Sequence, residues 1–187
     1  MSISNTKSNQ IENRNFLSPN GFEFTISRAP KVTFFCNSAN IPDMNLGIAE
    51  QPTYLKNIPL PGDKVDFGDF ELRFLVDEDL TNYMEIQNWI RGIGYPENIN
   101  EIHNFQKSAE YIDQPDKSQL NLYSDGSLIV LSSNLRPNFK VNFKNLFPYS
   151  LTTLQFDATD TDVEYFTAIV SFKYTIYTIT DMSDNLL

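Results

Sequence analysis

Acidic side chains are the first candidates for chemistry in this chain. The segment DATDTDVE places Asp157, Asp160, Asp162 and Glu164 at spacings that loosely resemble a calcium loop. Alternating carboxylates are what a hard divalent cation needs. The pattern is incomplete: counted from Asp160, the sixth position is Tyr165 instead of glycine and the twelfth is Ser171 instead of glutamate. A solvated turn accounts for it. A second group of acids lies between Pro59 and Ile90. Paired carboxylates there could cleave a glycoside, but each acid also has a capping or solvating role available. His103 is the sole histidine and Cys36 the sole cysteine. A zinc site built from N and S ligands is therefore not available, and any catalytic triad would rest on His103. There is no G-x-S-x-G elbow. RGIGYPE follows a helical pattern and lacks a third glycine, so it is no phosphate loop. Trp89 could stack on a sugar or a base, but its place in an apolar stripe predicts packing against a sheet. The sequence thus predicts no catalytic, cofactor-binding or metal-ligating residue, and no enzyme.

Such a chain must be explained by its scaffold. It has 187 residues, 41% hydrophobic and 13% aromatic, with 15 Phe and 9 Tyr. That length buries about 70% of the unfolded surface in one domain. Aromatic richness favours strands. The net charge of −10 argues against stable binding to nucleic acid, which needs a basic patch, and against docking on anionic membrane. Cys36 has no disulfide partner and reads as a small buried hydrophobe. Residues 1–15 are polar, without the apolar core of a secretory signal. They predict a flexible arm ahead of a single β-rich domain over 16–187, made in the cytoplasm and soluble.

Along that domain FEFTIS alternates Phe22, Phe24 and Ile26 with Glu23 and Thr25, and predicts a strand. KVTFFCNS predicts a second, joined to the first by a hairpin at Arg28-Ala29-Pro30. Four prolines between Ile41 and Pro61 predict an extended loop or edge excursion. Its apolar residues Ile41, Met44, Leu46, Ile48, Tyr54, Leu55 and Ile58 are too many for a solvated loop and call for a cover. Apolar parity changes at Gly68, which predicts a β-bulge at Gly68-Asp69 keeping Val65, Phe67 and Phe70, Leu72, Phe74, Val76 on one side. Leu80, Tyr83, Met84, Ile86, Trp89, Ile90 and Ile93 predict the principal helix, about 79–93. Asp77 and Asp79 are its candidate caps, with Gly92 and Gly94 as left-handed C-terminal caps. Ile99, Ile102, Phe105 and Ala109 suggest a short second helix. Asp125-Gly126 predicts a hairpin turn. NFKVNFKNLF, LTTLQF and one long final strand, VEYFTAIVSFKYTIYTIT, complete a mainly antiparallel β fold.

The order of these parts resembles the tail tube proteins of T-even-like, contractile-tailed bacteriophages. The resemblance runs from about Gly21 to Ile179. It is carried by FEFTI leading into VTFFCNSANIP, by PLPGD with FGDFELRFLVDEDL, and by the acidic entry to a helix containing NW. Residues 96–119 look like an insertion. The resemblance implies an antiparallel β-sandwich or barrel-like tube fold. Six copies would form a ring with a shared β-barrel, and rings would stack into the conduit for DNA ejection. The partners implied are further copies of the chain, sheath and baseplate, with DNA only as passing cargo and no membrane. The place implied is the virion tail, assembled in the host cytoplasm. On this reading the apolar set Ile41 to Ile58 is the inter-subunit surface, and Thr167, Ser171, Thr175 and Asn142 face the channel. A single-ring baseplate adaptor or tail terminator is the near alternative. A monomeric β-sandwich that binds carbohydrate is the alternative of another class.

Overall fold

A computed structural model describes residues 16, 17, 19–26, 28–94, 97, 98, 100, 122–156 and 165–186. The predicted arm, the second-helix residues Ile99, Ile102, Phe105 and Ala109, His103 and the DATDTDVE acids lie outside that set. Among the described residues the strands and helices are, in order, β1 (Phe22–Ile26), α1 (Pro30–Phe34), β2 (Cys36–Ala39), β3 (Met44–Gln51), β4 (Ile58–Phe67), β5 (Phe70–Leu75), α2 (Thr81–Gly94), β6 (Ser124–Leu131), β7 (Pro137–Leu151), β8 (Thr167–Lys173) and β9 (Ile176–Thr180).

The main sheet runs β1-β6-β7-β8-β5-β2, with β9 also pairing β7. All its pairings are antiparallel. β1 and β5 are four strands apart, or about 19 Å along a flat sheet. Yet the Phe24 and Phe70 rings are 5.0 Å apart. The sheet must curl over and face itself. Phe70 also meets Phe143 at 4.5 Å and Phe172 at 5.9 Å, so it ties both halves into one core. Among the described residues the curl does not close into a barrel: β1 and β2 each end the strand order with a free edge.

The hinge is a single level of the sheet. Asn145 adopts φ 55 within β7. Its backbone N–H donates to the Asp125 carboxylate at 3.1 Å. Its side-chain amide donates to the Thr175 hydroxyl at 3.1 Å. Asp125 is the register shift of β6, and Thr175 separates β8 from β9. Three neighbouring strands therefore change direction together, as bulges allow. Two expectations fail for this reason. Asp125-Gly126 is a bulge inside β6, not a turn. Gly126 keeps the contact with Phe24 easy, since a Cβ there would lie 3.2 Å from the Phe24 ring and push it by a few tenths of an ångström. The long final strand is two strands, because its partner β7 bends beneath it. LTTLQF also fails beyond Leu151: residues 152–156 carry no regular structure.

The expected hairpin between FEFTIS and KVTFFCNS does not form either. β1 pairs with β6 and β2 with β5. Pro30 opens a helical turn, where its fixed φ and missing N–H are suited. α1 packs against β1 and α2.

Helix α2 buries Asn82, Ile86, Trp89 and Gly92. Met84 and Leu80, expected on the buried stripe, are exposed. Asp77 accepts hydrogen bonds from the Thr81 backbone N–H at 3.1 Å and from its hydroxyl. Asp79 makes no such contact among the described residues. Asn82, which periodicity passes over, donates to the Leu75 carbonyl at 2.7 Å and accepts from the backbone N–H of Tyr83 at 2.8 Å. Gly92 and Gly94 do not cap in the left-handed region: among the described residues no glycine has positive φ. Gly92 is instead buried within α2.

Candidate assembly interface

The stretch read as a proline-rich excursion is a regular structure. β3 and β4 pair only with each other, as a two-stranded ribbon that leaves the main sheet. The prolines are tolerated because each strand of a ribbon has an outer edge on which no N–H is needed. Pro59 and Pro61 sit opposite Glu50 and Ile48. The register shifts between Leu46 and Ile48. There the backbones cross so closely that a Cβ on Gly62 would fall 2.4 Å from the Gly47 carbonyl oxygen.

Every residue of β3 is exposed, as is nearly all of β4. On one face Met44 lies opposite Phe67 and Leu46 opposite Val65. Toward the tip, Ile48 is 74% and Leu55 90% exposed, and Tyr54 is fully exposed. Leu60 and Ile58 add apolar surface opposite Ala49 and Gln51. Ile41 is exposed at the base. The structure thus gathers all seven predicted contact residues on or beside one arm. It adds Leu60 and Val65, which the sequence reading left out. Soluble chains rarely expose a contiguous apolar patch of this kind without a partner, and a lone hairpin is marginal in water.

The root of the arm is held firmly. Phe67 packs against Tyr177 at 5.5 Å and Tyr174 at 6.1 Å. The Tyr174 hydroxyl donates to the Gly68 carbonyl at 2.9 Å and Tyr177 to Pro42 at 3.3 Å. Burial pushes the Tyr174 phenol up to about 12. The predicted bulge at Gly68-Asp69 is instead the break between ribbon and sheet, so Val65 is exposed and only Phe67 reaches the core side. Asp69 sits at that break, paired with Lys173 and accepting from the Tyr149 hydroxyl. The Lys173 hydrogen bond, then the Tyr149 one, holds its carboxyl below the ordinary range. A depressed carboxylate stabilises the fold above its unfolded value, about 3.9, and loses that contribution as pH falls through the lower folded value. We expect Asp69→Asn to lower stability at neutral pH, by no more than about 1 kcal/mol for so exposed a pair. The gap between the wild-type and variant melting temperatures should close as pH is taken below about 4.

The four residues predicted to face a channel are not brought together. Thr167 and Ser171 point outward from the β5–β8 half, opposite Leu75 and Glu71. Asn142 points outward from the β6–β7–β9 half. It accepts from the Ser127 hydroxyl at 2.8 Å and donates to Thr180 at 3.2 Å. Since the halves face each other across Phe70, these outward faces lie on opposite sides of the core. Thr175 is at the hinge between them. The Asn142 face carries a row of uncharged polar side chains, Thr25, Ser127, Asn142 and Thr178, over four adjacent strands.

Other candidates for chemistry are placed elsewhere. Trp89 is 1% exposed, and its indole N–H donates to the Leu122 carbonyl at 2.9 Å, so no sugar ring can stack on it. Cys36 is half-buried, and burial pushes its thiol up to about 11, which makes it a poor nucleophile. Among the described residues no three His, Cys, Asp or Glu side chains gather as a metal site needs, and no helix is long and apolar enough to cross a membrane.

Several solved assemblies contain chains of similar fold. One belongs to the anti-feeding prophage baseplate, 6-fold symmetrised, with TM-score 0.56, 11% identity, and coverage of 93% of this chain and 97% of that one. Another belongs to the sheath–tube complex, in the extended state, of an extracellular contractile injection system, with TM-score 0.54, 16% identity and coverage of 90% and 94%. A third is the tube-terminating cap of the anti-feeding prophage, with TM-score 0.56, 16% identity and coverage of 96% and 99%. At these identities the likeness is one of fold. No curated protein sequence matches the chain. The family model described as phage tail tube protein matches residues 4–180, and the chain belongs to that family. It is a structural tube protein.

Proposed function

We propose that six copies of this chain close into a ring and that rings stack into a tail tube through which DNA passes as cargo. The observation that carries this reading is the β3–β4 arm: a firmly rooted ribbon whose apolar rungs have no cover within the described chain. A second copy would supply the cover. Ile41, Met44, Leu46, Ile48, Tyr54, Leu55 and Ile58 would form the contact, and heterologous contacts of this kind close into rings. The free edges of β1 and β2 would complete their pairing with neighbours, which removes an aggregation hazard. Of the two outward faces, the Asn142 face suits a channel better. Its central row is uncharged, with Lys140, ion-paired to Asp184, and Lys144 flanking Asn142 on β7, while the opposite face carries Arg73 and Lys173. Thr167 and Ser171 then lie away from the lumen. Sheath and baseplate are the partners this role requires, and the virion tail, assembled in the host cytoplasm, is its place. The protein catalyses no reaction and holds no cofactor. Negative-stain imaging of the purified protein at high concentration tests the reading. Rings with a central hole, single or stacked, are expected. A population of single particles only would overturn it.

A further inference from the structure

Asn20 and Gly21 stand immediately before β1, in the turn that enters it. Asn20 is exposed and Gly21 is buried. The Gly21 carbonyl accepts from the Leu131 backbone N–H at 2.9 Å, which extends the β1–β6 ladder by one rung. A Cβ on Gly21 would fall 2.9 Å from that of Leu131, so a larger residue there forces movement. Packing therefore keeps a glycine directly after an exposed asparagine. A glycine nitrogen has no neighbouring side chain to shield it. Among the described residues no hydrogen bond restrains the Asn20 carboxamide. Two other exposed asparagines are held. Asn40 donates to Asp69 O at 3.1 Å and accepts from Glu71 N at 2.7 Å. Asn57 donates to Glu50 at 2.9 Å. Each is followed by a β-branched isoleucine, Ile41 or Ile58.

We propose that Asn20 is a site of spontaneous backbone modification. The Gly21 backbone nitrogen attacks Cγ of Asn20 and forms a new C–N bond. The Cγ–Nδ2 bond breaks, and ammonia leaves with the proton lost from the Gly21 nitrogen. Water then opens either carbonyl of the resulting succinimide. One product is aspartate and the other isoaspartate; both bring a negative charge. The isoaspartate route also inserts a methylene into the main chain one residue before the Gly21–Leu131 rung. Among the described residues β6 is the one strand paired with β1, so in the single chain no described strand on its other side compensates. The modification loosens β1 from its first residue.

The test is peptide mapping of the folded full-length protein held in mildly alkaline buffer, using mass spectrometry that separates isoaspartate from aspartate. Asn20 should convert several-fold faster than Asn40 and Asn57, with isoaspartate the larger product. Asn20→Gln should abolish that conversion and leave the melting temperature of the fresh protein unchanged. Conversion of Asn20 no faster than that of Asn40 and Asn57, or only after the chain is unfolded in denaturant, would overturn the proposal.

Discussion

Ile48→Asp combined with Leu55→Asp is expected to leave a folded chain that no longer makes rings. Both side chains project from the arm into solvent, at 74% and 90% exposure, and neither belongs to the core. Exposed substitutions of this kind usually move stability by no more than about 0.5 kcal/mol. In a ring the same positions would lie against a second copy. A carboxylate taken out of water without a partner costs several kcal/mol, and each ~1.4 kcal/mol is a factor of ten in affinity. Two such groups in every contact of a ring should abolish assembly at any practical concentration. Light scattering after size exclusion reads the assembly, and circular dichroism on heating reads the fold. Rings at the wild-type concentration, from a variant that melts with the wild type, would show that the arm is not the contact. Unfolding of the variant would show instead that these side chains support the chain's own structure, against their exposure.

The legible parts of the fold are those where one physical signal acts alone. Phe22, Phe24 and Ile26 alternate because β1 has one wet face and one dry. The same is true of Phe70, Leu72 and Phe74 and of Val141 and Phe143, all buried as expected. The missed parts are those where two signals compete. KVTFF has strand-forming residues, but Pro30 at its head favours a helical turn. Asp125-Gly126 has the composition of a turn, yet the same two residues serve a bulge, with Gly126 close against the Phe24 ring. The last strand keeps its even-numbered apolar pattern through Ile176, so nothing in its own periodicity marks the break at Thr175. That break is imposed by Asn145 on the neighbouring strand, which sequence spacing cannot see. In the candidate interface the excess of apolar residues was legible, because a loop has no reason to carry Met44, Leu46 and Ile48. Its form was not, because the prolines that argue against a central strand are harmless in a two-stranded ribbon.

The largest effect on stability should come from Trp89. Its side chain is enclosed, with the ring 6.1 Å from Phe172, the Arg28 guanidinium 5.4 Å above it, and the indole N–H on the Leu122 carbonyl at 2.9 Å. Trp89→Ala removes the packing between α2 and the β8 side of the core and leaves that carbonyl without its donor. Truncating a buried aromatic costs about 3–5 kcal/mol, a large share of the roughly 5–15 kcal/mol that holds a domain of this size together. At about 2–4 °C per kcal/mol the melting temperature should fall by roughly 6–20 °C. Trp89→Phe keeps most of the apolar contact and should fall by much less. The two variants also separate the tube reading from a carbohydrate-binding module. A tryptophan that served as a sugar platform would be exposed, and its loss would abolish binding while leaving the melting temperature in place. A tryptophan that fixes a helix to a sheet does the reverse: stability drops, and below the lowered transition the arm is intact and rings still form. Ring formation by Trp89→Ala in the cold, set against its loss in the Ile48→Asp and Leu55→Asp variant at every temperature, would place folding and assembly on different residues of the same chain.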